Sequence, residues 1–149
     1  MSATLKDQYL SQVAEQLAGV EENAVDIVNA MLSAAEAAGA SDVHFIPDST
    51  GSQVLWRIDG VLHKVTRLGA SIGPQVVARL KVLAELLTYR SDVPQEGRVR
   101  HAVERGRAAA RHPEPGVDVR QGTEVSPDSA VEMRLSTFPT LFGEKAVVR

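Results

Sequence analysis

The dipeptide Asp59-Gly60 constrains the fold of this chain more than any other feature of its sequence. It separates two runs in which apolar and polar residues alternate, Val54 to Ile58 and Val61 to Val65. Asp-Gly between two such runs is a strong signal for a two-residue β-hairpin, because both turn positions need a positive φ. The alternation places Trp56 on one face and Arg57 on the other. The chain therefore contains antiparallel sheet, with one apolar and one polar face.

Helix-like and strand-like patterns surround this hairpin in a simple order. Apolar residues recur at helical spacing in three segments, at about residues 4–20, 23–39 and 74–87. Runs typical of strands occur in four further places, at residues 43–46, 98–103, 131–136 and 146–148. The order of helix, helix, three strands, helix, three strands predicts an α+β fold. We expect a mostly antiparallel sheet of about six strands, with the helices packed on one face.

The pattern also suggests how the chain is divided. Residues 1–22 are predicted to form a leading helix and a connector, and residues 23–149 a single domain. Within that domain, residues from about 104 to 130 are rich in Pro, Gly and charge and show little apolar periodicity, which predicts a flexible insertion. Four arginines in the insertion are interpreted as a solvated charge run: Arg105, Arg107, Arg111 and Arg120.

A search for catalytic constellations yields none within the chain. A phosphate loop of the form GxxxxGK[ST] is missing, since the one Gly-Glu-Lys, at Gly143 to Lys145, is followed by Ala146. No metal site is predicted, because the histidines occur singly, as His44, His63, His101 and His112. The sequence therefore predicts that this chain alone binds no cofactor and should be inactive.

Charge and composition indicate the compartment. The chain has no cysteine and a net charge of -3, which is compatible with a reduced compartment and favours no nucleic acid partner. No apolar run approaches the ~20 residues that cross a bilayer. We expect a cytoplasmic protein that reaches a membrane only through partners.

Arginine is the most informative residue type, because four arginines lie in or beside predicted strands: Arg57, Arg98, Arg134 and Arg149. A rigid strand can aim a guanidinium group at an anionic ligand. For each arginine taken alone, a solvated side chain on the polar face is the better explanation.

Four short segments carry a recognisable pattern: Ala40 to His44, Arg57 to Leu62, Val93 to Arg98, and Arg134 to Thr140 continuing through Gly143-Glu144-Lys145 to Arg149. A fifth segment, Arg79 to Ala84, lies between the second and third. In this order the segments resemble the domain that precedes the motor in type II secretion and type IV pilus assembly ATPases, an N-terminal, PAS-like domain.

The resemblance implies a non-catalytic domain of a hexameric ATPase. In such proteins the domain packs on a RecA-like motor of the same or a neighbouring subunit, ATP and Mg²⁺ bind to the full-length protein, and hydrolysis drives export or pilus assembly at a platform in the inner membrane. The two arginines to which the family gives a nucleotide-facing role fall on Arg134 and Arg149. Two positions depart from the family pattern, with Ile46 and Glu96 in place of an acidic residue and an Asp, and the 104–130 insertion is longer than the usual hairpin.

Two other interpretations remain open. The chain could be a free-standing protein-interaction module with this fold, or an anion or nucleic-acid binder that uses its arginine-rich insertion. The sequence does not distinguish secretion from pilus assembly.

Overall fold

A computed structural model gives the structure of residues 5–18, 23–102 and 130–149. The predicted order of elements and the α+β class are confirmed, with three helices and six strands in these ranges. The elements are α1 Leu5–Ala18, α2 Ala24–Ala37, β1 Asp42–Asp48, β2 Gly51–Ile58, β3 Val61–Gly69, α3 Ile72–Leu83, β4 Gln95–Ala102, β5 Ala130–Thr140 and β6 Gly143–Val148.

The strands of the described residues form one sheet in the order β3-β2-β1-β6-β5-β4, and all neighbours are antiparallel. The predicted hairpin joins β2 to β3, with Asp59 at φ 51° and Gly60 at φ 79°, as a tight turn of this kind requires. The last strand, β6, lies between β1 and β5. It therefore joins β1, β2 and β3 on one side to β4 and β5 on the other.

The hydrophobic core lies between one face of the sheet and the helices. A row of cross-strand neighbours on β2, β1, β6 and β5 is almost fully buried, and it consists of Trp56, Val43, Val148 and Leu135. Helices α2 and α3 pack on this face through buried side chains that include Met31, Val76 and Leu80. Apolar burial at alternate strand positions is what stabilises a sheet with one covered face.

Both ends of α2 have local causes. The side-chain oxygen of Asn23 accepts a hydrogen bond of 2.9 Å from the backbone N–H of Val25, and this caps the first turn. After the last turn Gly39 has φ 72°, the left-handed conformation that commonly ends a helix.

The bounds of α3 differ from the prediction. The helix begins at Ile72, before Pro74, because a proline in the first turn has no N–H to lose. It ends at Leu83 instead of Leu87. The side chain of Gln95 accepts a hydrogen bond from the Leu87 N–H at 2.8 Å and donates one to the Leu87 carbonyl at 3.0 Å. Glu85 takes a left-handed φ of 57°, and the Leu86 N–H donates to the Lys81 carbonyl at 2.8 Å, which ends the helix. The bonds of Gln95 then hold the loop that follows.

Helix α1 packs on the domain through Leu10 and Val13, which are buried in the same core as α2. The division into residues 1–22 and 23–149 stays a prediction. The 104–130 insertion and its arginines lie outside the described residues, except for the backbone of Ala130 at the start of β5.

Candidate functional site

Arg134 and Arg149 lie side by side on neighbouring strands. Each donates its backbone N–H to the carbonyl of the other, at 2.9 Å in both directions. Directly opposed residues of an antiparallel pair project to the same face, and here it is the face opposite the helices, because Leu135 and Val148, the next residues toward the core, are buried. The two side chains are 58% and 71% exposed. The structure therefore places both predicted site residues together on the open face of the sheet.

The same register continues across the sheet in both directions. Arg98 is paired with Arg134 on one side, and Asp42 is paired with Arg57 on the other. Asp42 in turn lies beside Arg149, one position beyond the Val43–Val148 pair. We call this set the charged row, and it consists of Arg57, Asp42, Arg149, Arg134 and Arg98.

Asp42 connects the two sides of the charged row. Its carboxylate accepts a hydrogen bond of 3.0 Å from Nε of Arg57, and its other oxygen lies 3.8 Å from Nε of Arg149. Arg57 also donates from Nη1 to the Gly60 carbonyl at 3.0 Å. The Asp42 side chain is only 18% exposed, so it is a fixed acceptor that limits where both guanidinium groups can lie.

Glu96 is the carboxylate partner of Arg134. Its Oε1 accepts a hydrogen bond of 3.1 Å from Nη1 of Arg134, and both side chains are 58% exposed. Exposed pairs of this kind typically contribute about 0 to 1 kcal/mol. The contact is therefore strong enough to bias the orientation of Arg134 and weak enough to be exchanged for another anion.

His44 lies next to Asp42 on the open face. Its Nε2 is 3.8 Å from the Asp42 carboxylate, and its side chain is 14% exposed. Burial lowers the pKa of His44, the Asp42 charge opposes that shift, and Lys145 and Arg57 add to it. His44 is therefore neutral near pH 7 and leaves the Asp42 carboxylate to the arginines.

A second ion pair, on the helix side of the sheet, has a structural role. Nζ of Lys81 on α3 donates to both carboxylate oxygens of Glu144, at 2.9 and 3.0 Å, and to the Arg90 carbonyl at 2.7 Å. Lys81 is 1% exposed and Glu144 12%. The Gly-Glu-Lys segment, which cannot form a phosphate loop, thus fixes the start of β6 to α3.

The Pro-Gln-Glu-Gly-Arg segment is also explained by contacts. Gln95 holds the loop after α3, and Gly97 allows β4 to pass close to the end of that helix. A Cβ on Gly97 would lie 2.7 Å from the Ala84 carbonyl oxygen, well inside van der Waals contact. Glu96 and Arg98 project to the open face. One short segment therefore combines positions that shape the fold with positions that face the charged row.

Sequence reasoning identified Arg134 and Arg149 through the family resemblance, and it missed Asp42, Glu96 and Arg98 as their neighbours. All three lie in segments that carry the resemblance. The cross-strand register was the missing information. Among residues 5–18, 23–102 and 130–149, no three His, Asp or Glu side chains come together in a group that could hold a metal ion.

No helix in the described part of the chain is long and apolar enough to cross a membrane.

Comparison with known proteins identifies the family. The family model described as "Type II/IV secretion system protein" matches residues 18–114. The chain is 33% identical over 129 residues to the type IV pilus assembly ATPase TfpB of Acinetobacter baylyi, covering 87% of this chain and 18% of the relative. It is 34% identical over 125 residues to the type IV pilus assembly ATPase PilB of Pseudomonas aeruginosa, covering 84% and 18%. It is 31% identical over 137 residues to the type II secretion system ATPase E of Vibrio cholerae, covering 91% and 23%.

The chain thus spans about a fifth of the length of these relatives. The match to the family model extends over more than half of the chain. This chain belongs to the family of type II/IV secretion system proteins.

Proposed function

We propose that this chain is the non-catalytic N-terminal domain of a hexameric secretion or pilus assembly ATPase. It packs on the RecA-like motor of its own or a neighbouring subunit and directs Arg134 and Arg149 toward the phosphates of ATP held by that motor. The observation that carries the proposal is the pairing of these two exposed arginines, whose backbones bond to each other on adjacent strands. The names of the relatives, all secretion or pilus assembly ATPases, support the class.

The geometry suits an anion delivered from outside the domain. A planar guanidinium group binds phosphate oxygens in a bidentate manner, and two such groups fixed to one sheet keep a constant separation. The phosphoanhydride that is cleaved comes with ATP and Mg²⁺ on the motor. Arg134 and Arg149 orient and neutralise the phosphates when the domains close, which couples turnover to domain movement.

The counter-ions of the arginines favour exchange. Glu96 is more than half exposed, so Arg134 leaves it at small cost when a phosphate arrives. Asp42 stays with Arg57, and its 3.8 Å separation from Arg149 is a loose contact. The domain can therefore hold both arginines in place before closure without locking either of them.

The family supports a proposal for where the domain acts. We place the protein in the cytoplasm, at the inner membrane through the platform of a secretion or pilus machine and not through insertion. Nucleic acid is not a partner in this proposal.

The first test uses a full-length ATPase built on this domain, in which the chain replaces the segment that it matches in PilB of Pseudomonas aeruginosa. Arg134→Ala should lower kcat about 10³-fold, the lower end of the range for an arginine finger. Arg67→Ala is the control, since Arg67 lies on β3 and bonds to Asp48. Near-normal hydrolysis by the Arg134 variant, with folding intact, would refute the proposed role.

The second test uses the chain alone. A homogeneous preparation should show no ATP turnover and no appreciable ATP affinity, because it has no phosphate loop. Measurable turnover would contradict the proposal.

The alternative function is a free-standing protein-interaction module. The observation in its favour is that three large apolar side chains at or near the β5–β6 turn are exposed, Phe138, Leu141 and Phe142. Tight binding to a protein other than a RecA-like motor, with no motor encoded next to this domain, would support the module.

A further inference from the structure

The charged row contains three consecutive arginines, on β4, β5 and β6. Arg134 uses both of its backbone groups to bond to Arg149 on β6. Its pairing with Arg98 on β4 is therefore of the non-hydrogen-bonded type, in which the side chains of opposed residues come closest. Neighbouring strands lie about 4.8 Å apart, so the three Cα positions span about 10 Å across the sheet.

Like charges directly opposite each other destabilise a sheet, and here the acids that compensate them lie to the side. Arg98 is 3.3 Å from Oε1 of Glu132, which stands opposite Arg100. Arg134 is compensated by Glu96, which stands opposite Ser136. Neither acid belongs to the charged row itself. Each of the three arginines thus has one carboxylate neighbour, and the pairs at Arg98 and Arg134 are exposed enough to be exchanged for another anion.

Arg98 and Arg134 also share an open recess. It has a volume of about 260 Å³ and is lined by Glu96, Gly97, Arg98 and Arg134. Gly97 contributes only its backbone to this recess, because a Cβ at that position would point toward Ala84 and Leu86 on the helix side of the sheet. Arg98 is 71% exposed and Glu132 56%, so the side chain of Arg98 can turn from Glu132 to an anion at small cost.

We infer that Arg98 is a third guanidinium contact for the polyphosphate of the nucleotide, on the side of Arg134 away from Arg149. The inference rests on the proposed function, since it extends the same site by one strand. Arg98 supplies a bidentate donor to a second set of non-bridging oxygens. Three arginines on one rigid sheet can then contact the oxygens of several linked phosphate groups. Two arginines would neutralise only part of that charge.

Arg100 provides the matched control. It lies on the same strand and the same face, two residues further along β4, and it stands opposite Glu132. It resembles Arg98 in charge, exposure and backbone setting, but an acid faces it directly. A variant at Arg100 therefore reports the loss of one positive charge from this face, without the loss of a member of the charged row.

The experiment measures steady-state ATP hydrolysis by the full-length ATPase built on this domain, comparing Arg98→Gln, Arg98→Lys, Arg100→Gln and Arg134→Gln. Arg98→Gln should lower kcat about 10²-fold, as the loss of one preorganised donor to developing charge does. Arg98→Lys should recover only part of that loss, because an ammonium group cannot form the planar fork. Arg100→Gln should stay within about twofold of the parent. Thermal unfolding of each chain shows that the folds are equal.

The outcomes separate the two proposals. If Arg134→Gln abolishes turnover while Arg98→Gln behaves like Arg100→Gln, the third contact is wrong and the proposed function stands. If Arg98→Lys restores full activity, Arg98 acts only as a charge and the inference is overturned. If Arg134→Gln hydrolyses ATP normally, the proposed function fails, and the inference built on it fails too.

Discussion

The two faces of the sheet are built from the same strands but differ in role, since one is buried and apolar and the other is exposed and charged. Leu135 is fully buried against the helices, whereas its neighbour Arg134 is 58% exposed on the other side. The same contrast holds between Trp56 and Arg57 on β2. A strand alternates its side chains with a period of two, so burial selects one set of positions and leaves the other free to carry charge. On β2 and β5 adjacent residues can therefore be assigned to stability or to binding by their face, whereas on β6 both Val147 and Val148 are buried.

The two ion pairs show the same division. Lys81 and Glu144 are nearly buried and join α3 to β6, whereas Arg134 and Glu96 are mostly exposed and join two strands that already pair. Breaking a buried pair leaves one charge without a partner and away from water, whereas breaking an exposed pair leaves a charge that water can solvate. The Lys81–Glu144 pair therefore stabilises the fold, whereas the Arg134–Glu96 pair only orients the side chain of Arg134.

The largest effect on stability is expected from Leu135→Ala, which should lower the free energy of unfolding by about 4 kcal/mol, as large-to-small changes in a packed core do. Arg134→Ala, one residue away, should cost less than about 1 kcal/mol. Urea denaturation of the purified chain measures both. Equal losses for the two variants would mean that the faces do not divide stability as described.

The buried pair should give the next largest effect. Lys81→Met keeps most of the side-chain stem but leaves Glu144 without its partner, and it should lower the free energy of unfolding by about 3 kcal/mol. The double variant Lys81→Met, Glu144→Gln removes both charges and should recover part of the loss. Denaturation midpoints of the parent, the single variant and the double variant provide the test. If Lys81→Met were as stable as the parent, the Lys81–Glu144 pair would have no structural role.

A smaller effect is expected at the glycine of the Pro-Gln-Glu-Gly-Arg segment. Gly97→Ala places a Cβ 2.7 Å from the carbonyl oxygen of Ala84 and 2.9 Å from Cδ2 of Leu86. Because a backbone oxygen cannot move aside alone, we expect a cost of about 2 kcal/mol. Gly69→Ala is the control, since nothing lies within 4 Å of its added Cβ, and its cost should be much smaller. Comparable costs would show that β4 does not need the close approach.

The sequence alone was sufficient to predict the elements that are determined by neighbouring residues in the chain. Asp59-Gly60 predicted the hairpin, helical spacing at residues 23–39 predicted α2, and alternation predicted which side of β2 is buried. The early end of α3 was not predicted, because Glu85, which takes the left-handed conformation there, is not a residue that typically ends a helix, and the loop after it is held by Gln95 from the next strand. Local patterns do not contain such a contact.

The charged row shows where prediction from sequence stopped. The family resemblance indicated Arg134 and Arg149, and the alternation of β5 indicated that Arg134 faces away from the core. That Asp42 lies beside Arg149, however, depends on β6 entering the sheet between β1 and β5. This pairing joins strands from opposite ends of the chain, and its register is set by packing and not by a local turn.

The smallest expected effect is on the pH dependence of stability. It tests whether His44 is neutral, so that the Asp42 carboxylate interacts only with Arg57 and Arg149. The pKa of His44 is lowered in the folded protein from its ordinary value of 6.5, so below that pH the unfolded chain takes up a proton that the folded chain resists. The free energy of unfolding should therefore fall as pH decreases below about 6.5, because the unfolded state binds more protons there. His44→Gln should lose less stability than the parent between pH 7.5 and 5.5, as measured by thermal unfolding. Parallel curves would mean that folded His44 is protonated as readily as in the unfolded chain, and Asp42 would then have a third cation competing with Arg57 and Arg149.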